Sequence, residues 1–102
     1  MTPDLLARSL QEFLAASRSA LVMEDGQVLF DLETAQYSLS SEKDRCLLHL
    51  WSQERNLVRH VVDAELKSGT LILTVRRFGQ GRPIKMEICR DRDRRPPTVQ
   101  KA

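Results

Sequence analysis

Residues 56–89, NLVRHVVDAELKSGTLILTVRRFGQGRPIKMEIC, decide the fold of this chain. Three runs rich in valine, isoleucine and leucine are separated here by two short turns, at residues 67–70 and 79–83. The turns contain the serine, glycine and proline that reverse a chain, and such runs between such turns are typical of antiparallel strands. The stretch therefore predicts three successive strands of a β-meander, at residues 56–66, 71–78 and 84–89.

Alternation assigns a face to each side chain of the first of these strands, because successive side chains point to opposite sides. One face is predicted to carry Val58, His60, Val62 and Ala64, and the other Leu57, Arg59, Val61 and Asp63. An antiparallel sheet of this kind usually has one dry face and one wet face.

Further strands are predicted upstream. Residues 20–23 and 28–30 flank Asp25 and Gly26, which suit the two positive-φ positions of a type I′ hairpin turn. A short strand is expected at residues 36–40. Residues 45–51 alternate with apolar side chains on both faces, which predicts a central or covered strand, with a helix as the alternative.

The N-terminus carries the signals of a helix. Thr2 can cap it, Pro3 suits its first position, and Asp4 lies favourably at the positive end of its dipole. Apolar residues then follow a period of 3.6 for about fifteen residues. The fold class predicted is α+β, with one N-terminal helix packed on a twisted antiparallel β-meander of about six strands.

Residues 1–89 are predicted to form this single domain. Residues 90–102 read as a charged, proline-containing linker or tail that leads to a missing downstream domain, because apolar periodicity stops after Cys89. The chain begins without a targeting signal, and its longest uncharged stretches, of eight residues each at 34–41, 46–53 and 68–75, are too short to span a bilayer. A cytoplasmic protein without a membrane partner is expected. Cys46 and Cys89 are expected as small core residues, with a disulfide between them as the alternative.

Charge is divided along the chain. Residues 1–44 carry three basic and eight acidic side chains, and residues 45–102 carry thirteen basic and six acidic ones. The net charge of +2 therefore combines a first part near −5 with a second part near +7. Such a division indicates an anionic partner for the second part, either nucleic acid or an acidic protein surface.

Basic residues of the predicted strands are the candidate site. Arg55 and Arg59 have an even spacing and are predicted to share a strand face, and neighbouring strands add Arg76, Arg77, Arg82 and Lys85. A basic stripe of this kind neutralises backbone phosphates, and Trp51 and Phe78 could stack on exposed bases. The alternative is a solvated sheet face on which Glu54, Asp63, Glu65 and Glu87 pair with the same cations.

Two other residue patterns do not predict a catalytic or metal site. Asp63, Glu65 and Lys67 match the acid, acid-x-Lys residue types of metal-dependent nucleases of the restriction-endonuclease-like superfamily, but a Ser-Gly turn follows where those enzymes have a helix. His49 and His60 are isolated on apolar strands and are expected to be structural. No catalytic residue, metal, cofactor or small-molecule ligand is therefore expected.

A resemblance accompanies these patterns. Residues 51–59, WSQERNLVR, with Arg76, Arg77, Phe78, Gly79 and Pro83 of the following hairpin, resemble the N-terminal region of a family of longer, uncharacterised bacterial proteins. The resemblance covers roughly residues 35–95 and implies no catalytic residue. It implies a domain that belongs to a longer chain.

The function predicted is that of a non-catalytic binding module of a larger bacterial protein, which contacts nucleic acid through an arginine-rich sheet face. One alternative is a scaffold for protein interaction, which docks on an acidic surface or forms a homodimer through an edge strand. A further alternative is an accessory part of a metal-dependent nuclease.

Overall fold

The structure is a computed structural model that describes residues 2–17, 19–77 and 81–90. These residues form one helix followed by seven strands. The elements are α1 (Pro3–Ala15), β1 (Leu21–Glu24), β2 (Gln27–Asp31), β3 (Gln36–Glu42), β4 (Arg45–Trp51), β5 (Asn56–Lys67), β6 (Thr70–Arg77) and β7 (Ile84–Cys89). The predicted α+β class is confirmed.

Helix α1 begins as its sequence predicts. The backbone N–H of Leu5 donates to the hydroxyl of the N-cap residue Thr2 at 3.2 Å, and Pro3 occupies the first turn. Leu6, Leu10 and Leu14 are buried, because their spacing places them on one side of the helix. This apolar side packs against the sheet.

Two of the predicted turns form, and the third, at residues 79–83, lies partly outside the described residues. Asp25 and Gly26 have φ values of 55° and 76°, and Ser68 and Gly69 have values of 51° and 80°, as two-residue hairpins of the primed type require. Residues 45–51 form strand β4 and not a helix. The sheet has seven strands and not the predicted six or so, although the sequence indicates all seven segments one by one; the short strand expected at residues 36–40 extends to Glu42 and pairs with β4 along its whole length.

The sheet is entirely antiparallel, with strand order β2-β1-β7-β6-β5-β4-β3. Strands β3 to β7 form the predicted meander, whereas the β1–β2 hairpin joins the sheet through pairing of β1 with β7. The sheet curls into a half-barrel around α1. We call the helix-facing side the concave face and the opposite side the convex face.

The core lies between α1 and the concave face. Its strand residues come from six strands: Val22, Phe30, Cys46, Leu48, Leu50, Val61, Leu71, Leu73, Val75, Met86 and Ile88. Burial raises the pKa of the Cys46 thiol, because a thiolate would lose its hydration there. Cys46 and Cys89 are both buried, and no disulfide joins them.

A register shift between Val61 and Asp63 divides β5 into two parts. Ahead of the shift, Arg59 and Val61 point to the concave face; beyond it, Ala64 pairs with the core residue Leu73. The predicted grouping of Ala64 with Val58 and His60 is therefore wrong, because one extra residue reverses the alternation.

The end of β7 is tied to the end of α1. The Arg90 guanidinium carbon lies 4.2 Å from the centre of the Phe13 ring, and Arg90 Nε donates to Ser17 Oγ at 3.0 Å. Arg90, assigned to the linker by its sequence, thus contacts the domain. The predicted linker residues 91–102 and the stacking candidate Phe78 lie outside the described residues.

Within the part of the chain that the structure describes, no helix has both the length and the apolar character needed to cross a membrane.

Candidate functional site

The six predicted basic residues lie at one end of the sheet but not on one face. Because β5 and β6 are antiparallel, the β4–β5 turn and the β6–β7 connection adjoin the same end of this strand pair. Arg76 and Lys85 project from the convex face, Arg59 and Arg77 from the concave face, and Arg55 and Arg82 lie in the two connections. The topology thus brings all six residues to the same end of the sheet.

Arg55 precedes strand β5, so it does not share a strand face with Arg59. The backbone N–H of Ser52 donates to the carbonyl of Arg55 at 2.8 Å, and this bond closes the turn between β4 and β5. The chain needs residues 52–55 to reverse direction here, and β5 begins only at residue 56. Arg55 is exposed at this turn.

Arg59 is engaged inside the fold. Its Nε and one terminal nitrogen donate to the two carboxylate oxygens of Glu24, each at 2.9 Å. Only 13% of the Arg59 side chain and 5% of the Glu24 side chain are exposed. A bidentate pair at this depth leaves Arg59 little capacity for an external anion.

Arg77, directly opposite Arg59, lies 4.0 Å from the carboxylate of Asp25. Both of these ion pairs join an acid of the β1–β2 hairpin to an arginine of β5 or β6. Some acidic side chains of residues 1–44 are therefore neutralised within the fold by arginines of residues 45–102. Besides Arg77, the exposed cations at this end are Arg55, Arg76, Arg82 and Lys85, and Lys85 Nζ donates to Thr74 Oγ1 at 2.8 Å.

The convex face carries a partly exposed apolar and aromatic area beside Arg76. Opposed residues in an antiparallel pair share a face, so Leu47, His60 and Arg76 form one row and His49 and Val58 another. Trp51 ends this area on β4. We call Leu47, His49, Trp51, Val58, His60 and Arg76 the convex patch. All but the exposed Arg76 are partly buried.

The His49 and Trp51 rings form the centre of the convex patch. Their centroids are 4.5 Å apart and their planes are tilted by 36°. His49 Nε2 lies 2.7 Å from Asn56 Oδ1, and since an amide oxygen only accepts, the histidine donates. This bond fixes the imidazole beside the indole, so two flat rings are presented together on an open sheet surface.

Carboxylates are separated from these rings. Among the described residues, the rows of the convex face that contain the patch have no acidic side chain. Their residues are Gln36, Ser38, Ser40, Leu47, His49, Trp51, Asn56, Val58, His60 and Arg76. Glu42, Asp63, Glu65 and Glu87 share the convex face but lie in rows toward its other end. The strand rows that bear the rings are therefore neutral to basic, and the exposed Glu54 lies in the adjoining β4–β5 turn.

The acidic residues singled out by their spacing lie at that other end. Asp63, Glu65 and Lys67 occupy the last part of β5, and Lys67 Nζ is 4.0 Å from Glu65 Oε1. Among the described residues, no group of three or more histidine, cysteine, aspartate or glutamate side chains could hold a metal ion.

The contribution of His49 was missed by sequence reasoning. A single histidine on an apolar strand resembles a structural residue, and its pairing with Asn56 depends on the β4–β5 register. The sequence does contain one indication of this ring pair. His49 and Trp51 are two residues apart on one strand, so their side chains lie on the same face.

Comparisons with known protein families, with curated proteins and with solved structures find no match for this chain.

Proposed function

We propose that this domain is a non-catalytic binding module of a larger, cytoplasmic bacterial protein, and that it binds single-stranded nucleic acid on its convex face. Bases stack on the His49 and Trp51 rings, and Arg55, Arg76, Arg82 and Lys85 contact the backbone phosphates. Arg59 and Arg77, on the concave face, take no part.

The observation that carries this proposal is the ring pair on an open sheet surface with cations at its border. Base stacking on aromatic side chains accepts any sequence, because every base has a π-face, and it contributes about 1–3 kcal/mol per base. The rings are partly exposed, and the residues that surround them in the same rows are polar, apolar or basic. This surface suits a single strand, whose bases are free to stack, better than a duplex.

The dimensions of the surface agree with a short ligand. Arg76 and Trp51 are two strands apart, about 10 Å across the sheet, and two rows apart, about 13 Å along it. A strand of a few nucleotides that follows this diagonal can place a base on the indole and a phosphate at the guanidinium.

The test is a titration of a labelled single-stranded oligonucleotide by fluorescence anisotropy at several salt concentrations. Three or four phosphate contacts predict that log K falls linearly with log salt, with a slope of about −2 to −3. Trp51 is the single tryptophan, so quenching of its fluorescence reports stacking directly. Trp51→Leu should weaken binding by roughly tenfold or more, and Trp51→Phe, which keeps a ring, by less.

Arg76→Ala has a matched control in Arg8→Ala, which removes the same charge from an exposed position on α1, on the other side of the sheet. Arg76→Ala should reduce affinity and make the salt slope shallower by about one contact, whereas Arg8→Ala should change neither. No binding at low salt, or equal losses in the two variants, would overturn the proposal.

A further inference from the structure

Strand β5 is longer than the strand beside it. Its residues 56–61 pair with β4, but residues 62–67 run on past Arg45, where β4 begins. Among the described residues, no strand pairs with this stretch on the β4 side, although β6 pairs with it on the other. Residues 62–67 are therefore a sheet edge whose outward backbone N–H and C=O groups face no described strand.

The most exposed apolar side chains of the described chain collect around this edge. They are Leu5, Val62 and Leu66, with 51%, 45% and 62% of their surface exposed. Val62 and Leu66 belong to the edge itself, and Leu5 lies one helical turn before Ser9 on the same side of α1. Two adjoining hollows, which share Leu6, separate α1 from the edge and include Ser9, Val62 and Leu66 in their walls.

We propose that this edge pairs with the same edge of a second copy of the chain, antiparallel and centred on Leu66. A two-fold axis then brings identical surfaces together, as in most homodimers. In this register Leu66 faces Leu66 of the second copy, on the concave face. Glu65 of each copy faces Lys67 of the other, on the convex face.

Charge complementarity selects this register and this partner. The Leu66-centred pairing gives two opposite-charge pairs and no like-charged pair. Centring on Glu65 would set Asp63 opposite Lys67 twice but would also oppose the two glutamates to each other, and centring on Ala64 would oppose Asp63 to Glu65 twice. Side chains that face each other across strands in this way interact directly, and opposite charges there are favourable. Glu65 and Lys67 are 59% and 65% exposed, so both are accessible.

The contact is short, because the hairpin turn follows immediately at Ser68 and Gly69. A strand pairing of this length buries less than the roughly 1,000 Å² that a stable specific interface needs. The dimer should therefore be reversible and should form as concentration rises. The pairing leaves the convex patch open in both copies and does not depend on nucleic-acid binding.

The experiment is sedimentation velocity over a wide range of protein concentration. The wild-type mass should rise from the 11.7 kDa of one chain toward twice that value. Leu66→Asp, at an exposed position, should raise the dissociation constant by roughly tenfold or more, because two carboxylates then face each other. Circular dichroism checks that the variant is folded.

Charge reversal gives the sharper test. Glu65→Lys alone and Lys67→Glu alone each create two like-charged pairs and should weaken the dimer by roughly tenfold. The double variant Glu65→Lys/Lys67→Glu restores both opposite-charge pairs and should recover wild-type association.

Three outcomes would overturn the proposal. One is a wild-type mass that stays monomeric at every concentration, as expected if the edge receives a strand of a different protein. The others are a dimer that Leu66→Asp leaves intact and a double variant that stays as weak as the single ones. Since nucleic-acid binding is measured separately, by Trp51 fluorescence and anisotropy, failure here would not bear on it.

Discussion

The Arg59 guanidinium is bound on two sides by one carboxylate, that of Glu24. Removing Arg59 leaves Glu24, whose side chain is 5% exposed, as an unpaired buried charge. Breaking such a pair on one side costs about 3–5 kcal/mol. We therefore predict that Arg59→Ala lowers the free energy of unfolding by about this amount, measured by urea denaturation.

Arg77→Ala is the matched control for Arg59→Ala. Arg77 is directly opposite Arg59 and also approaches an acid, but it is 62% exposed and 4.0 Å away from Asp25. Exposed pairs contribute less than about 1 kcal/mol, so this variant should be close to wild type. Replacing both charges, with Glu24→Leu and Arg59→Met, should cost much less than Arg59→Ala. Equal losses for Arg59→Ala and Arg77→Ala would contradict the burial argument.

Two side-chain contacts could not be predicted from the sequence. The spacing in the sequence predicts that Arg59 shares a strand face with Arg55, and nothing local indicates its contact with Glu24, thirty-five residues earlier. That contact requires β1 to lie beside β7, a long-range pairing that no local pattern encodes. The same limit applies to His49, whose orientation is fixed by a residue on the next strand.

At the scale of elements, the contact between β7 and α1 is the clearest addition to what the sequence indicates. Helix α1 has no basic residue in its last turn, but Arg90 approaches that end from β7. It stacks on Phe13 and donates to Ser17, whose hydroxyl in turn donates to the Phe13 carbonyl at 2.6 Å. A positive charge near a helix C-terminus is favourable.

We predict that Arg90→Ala lowers the free energy of unfolding by about 1–2 kcal/mol, since it removes a cation–π contact, a hydrogen bond and a charge near the helix end. Arg90→Lys keeps the charge and should lose about half as much. Arg82→Ala removes an arginine from an exposed loop and should change stability by less than about 0.5 kcal/mol. Thermal or urea unfolding of the three variants measures this, and an Arg90→Ala variant as stable as Arg82→Ala would contradict it.

Element boundaries were largely predictable because local chemistry determines them. Thr2 and Pro3 mark the helix start, and Asp25 and Gly26 mark a turn, since few residues tolerate positive φ. The shift between Val61 and Asp63 was not predictable, because an extra residue in a strand of valine and alanine leaves no compositional trace. Its consequence is large, since it turns Ala64 and Leu66 toward the helix side.

At the scale of the whole molecule, the helix-on-sheet class followed from the sequence but the strand order did not. A meander alone would place β1 and β2 beside β3. Instead β2 and β3, joined by four residues, lie at opposite edges of the sheet. So short a connection between the two edges requires the sheet to curl, and a hollow lined by both β2 and the β4–β5 turn lies where they approach. This topology brings two acids of the acidic part of the chain, Glu24 and Asp25, to two arginines of the basic part, Arg59 and Arg77.

The dependence on salt concentration distinguishes the ion pairs within the fold from the proposed contacts with phosphates. The buried Arg59–Glu24 pair is poorly screened, and the exposed Arg77–Asp25 and Lys67–Glu65 contacts are weak. We therefore predict that the free energy of unfolding changes by less than about 1 kcal/mol between low salt and about 0.5 M salt. Over the same range, oligonucleotide affinity at the convex patch should fall steeply, because each phosphate contact releases counterions. Urea unfolding followed by Trp51 fluorescence measures the stability, and the binding titration in the same buffers measures the affinity.

A loss of several kcal/mol of stability in salt would mean that attraction between the acidic and basic parts of the chain holds the fold together. In that case the exposed arginines would be structural, and the convex patch would lose its electrostatic support.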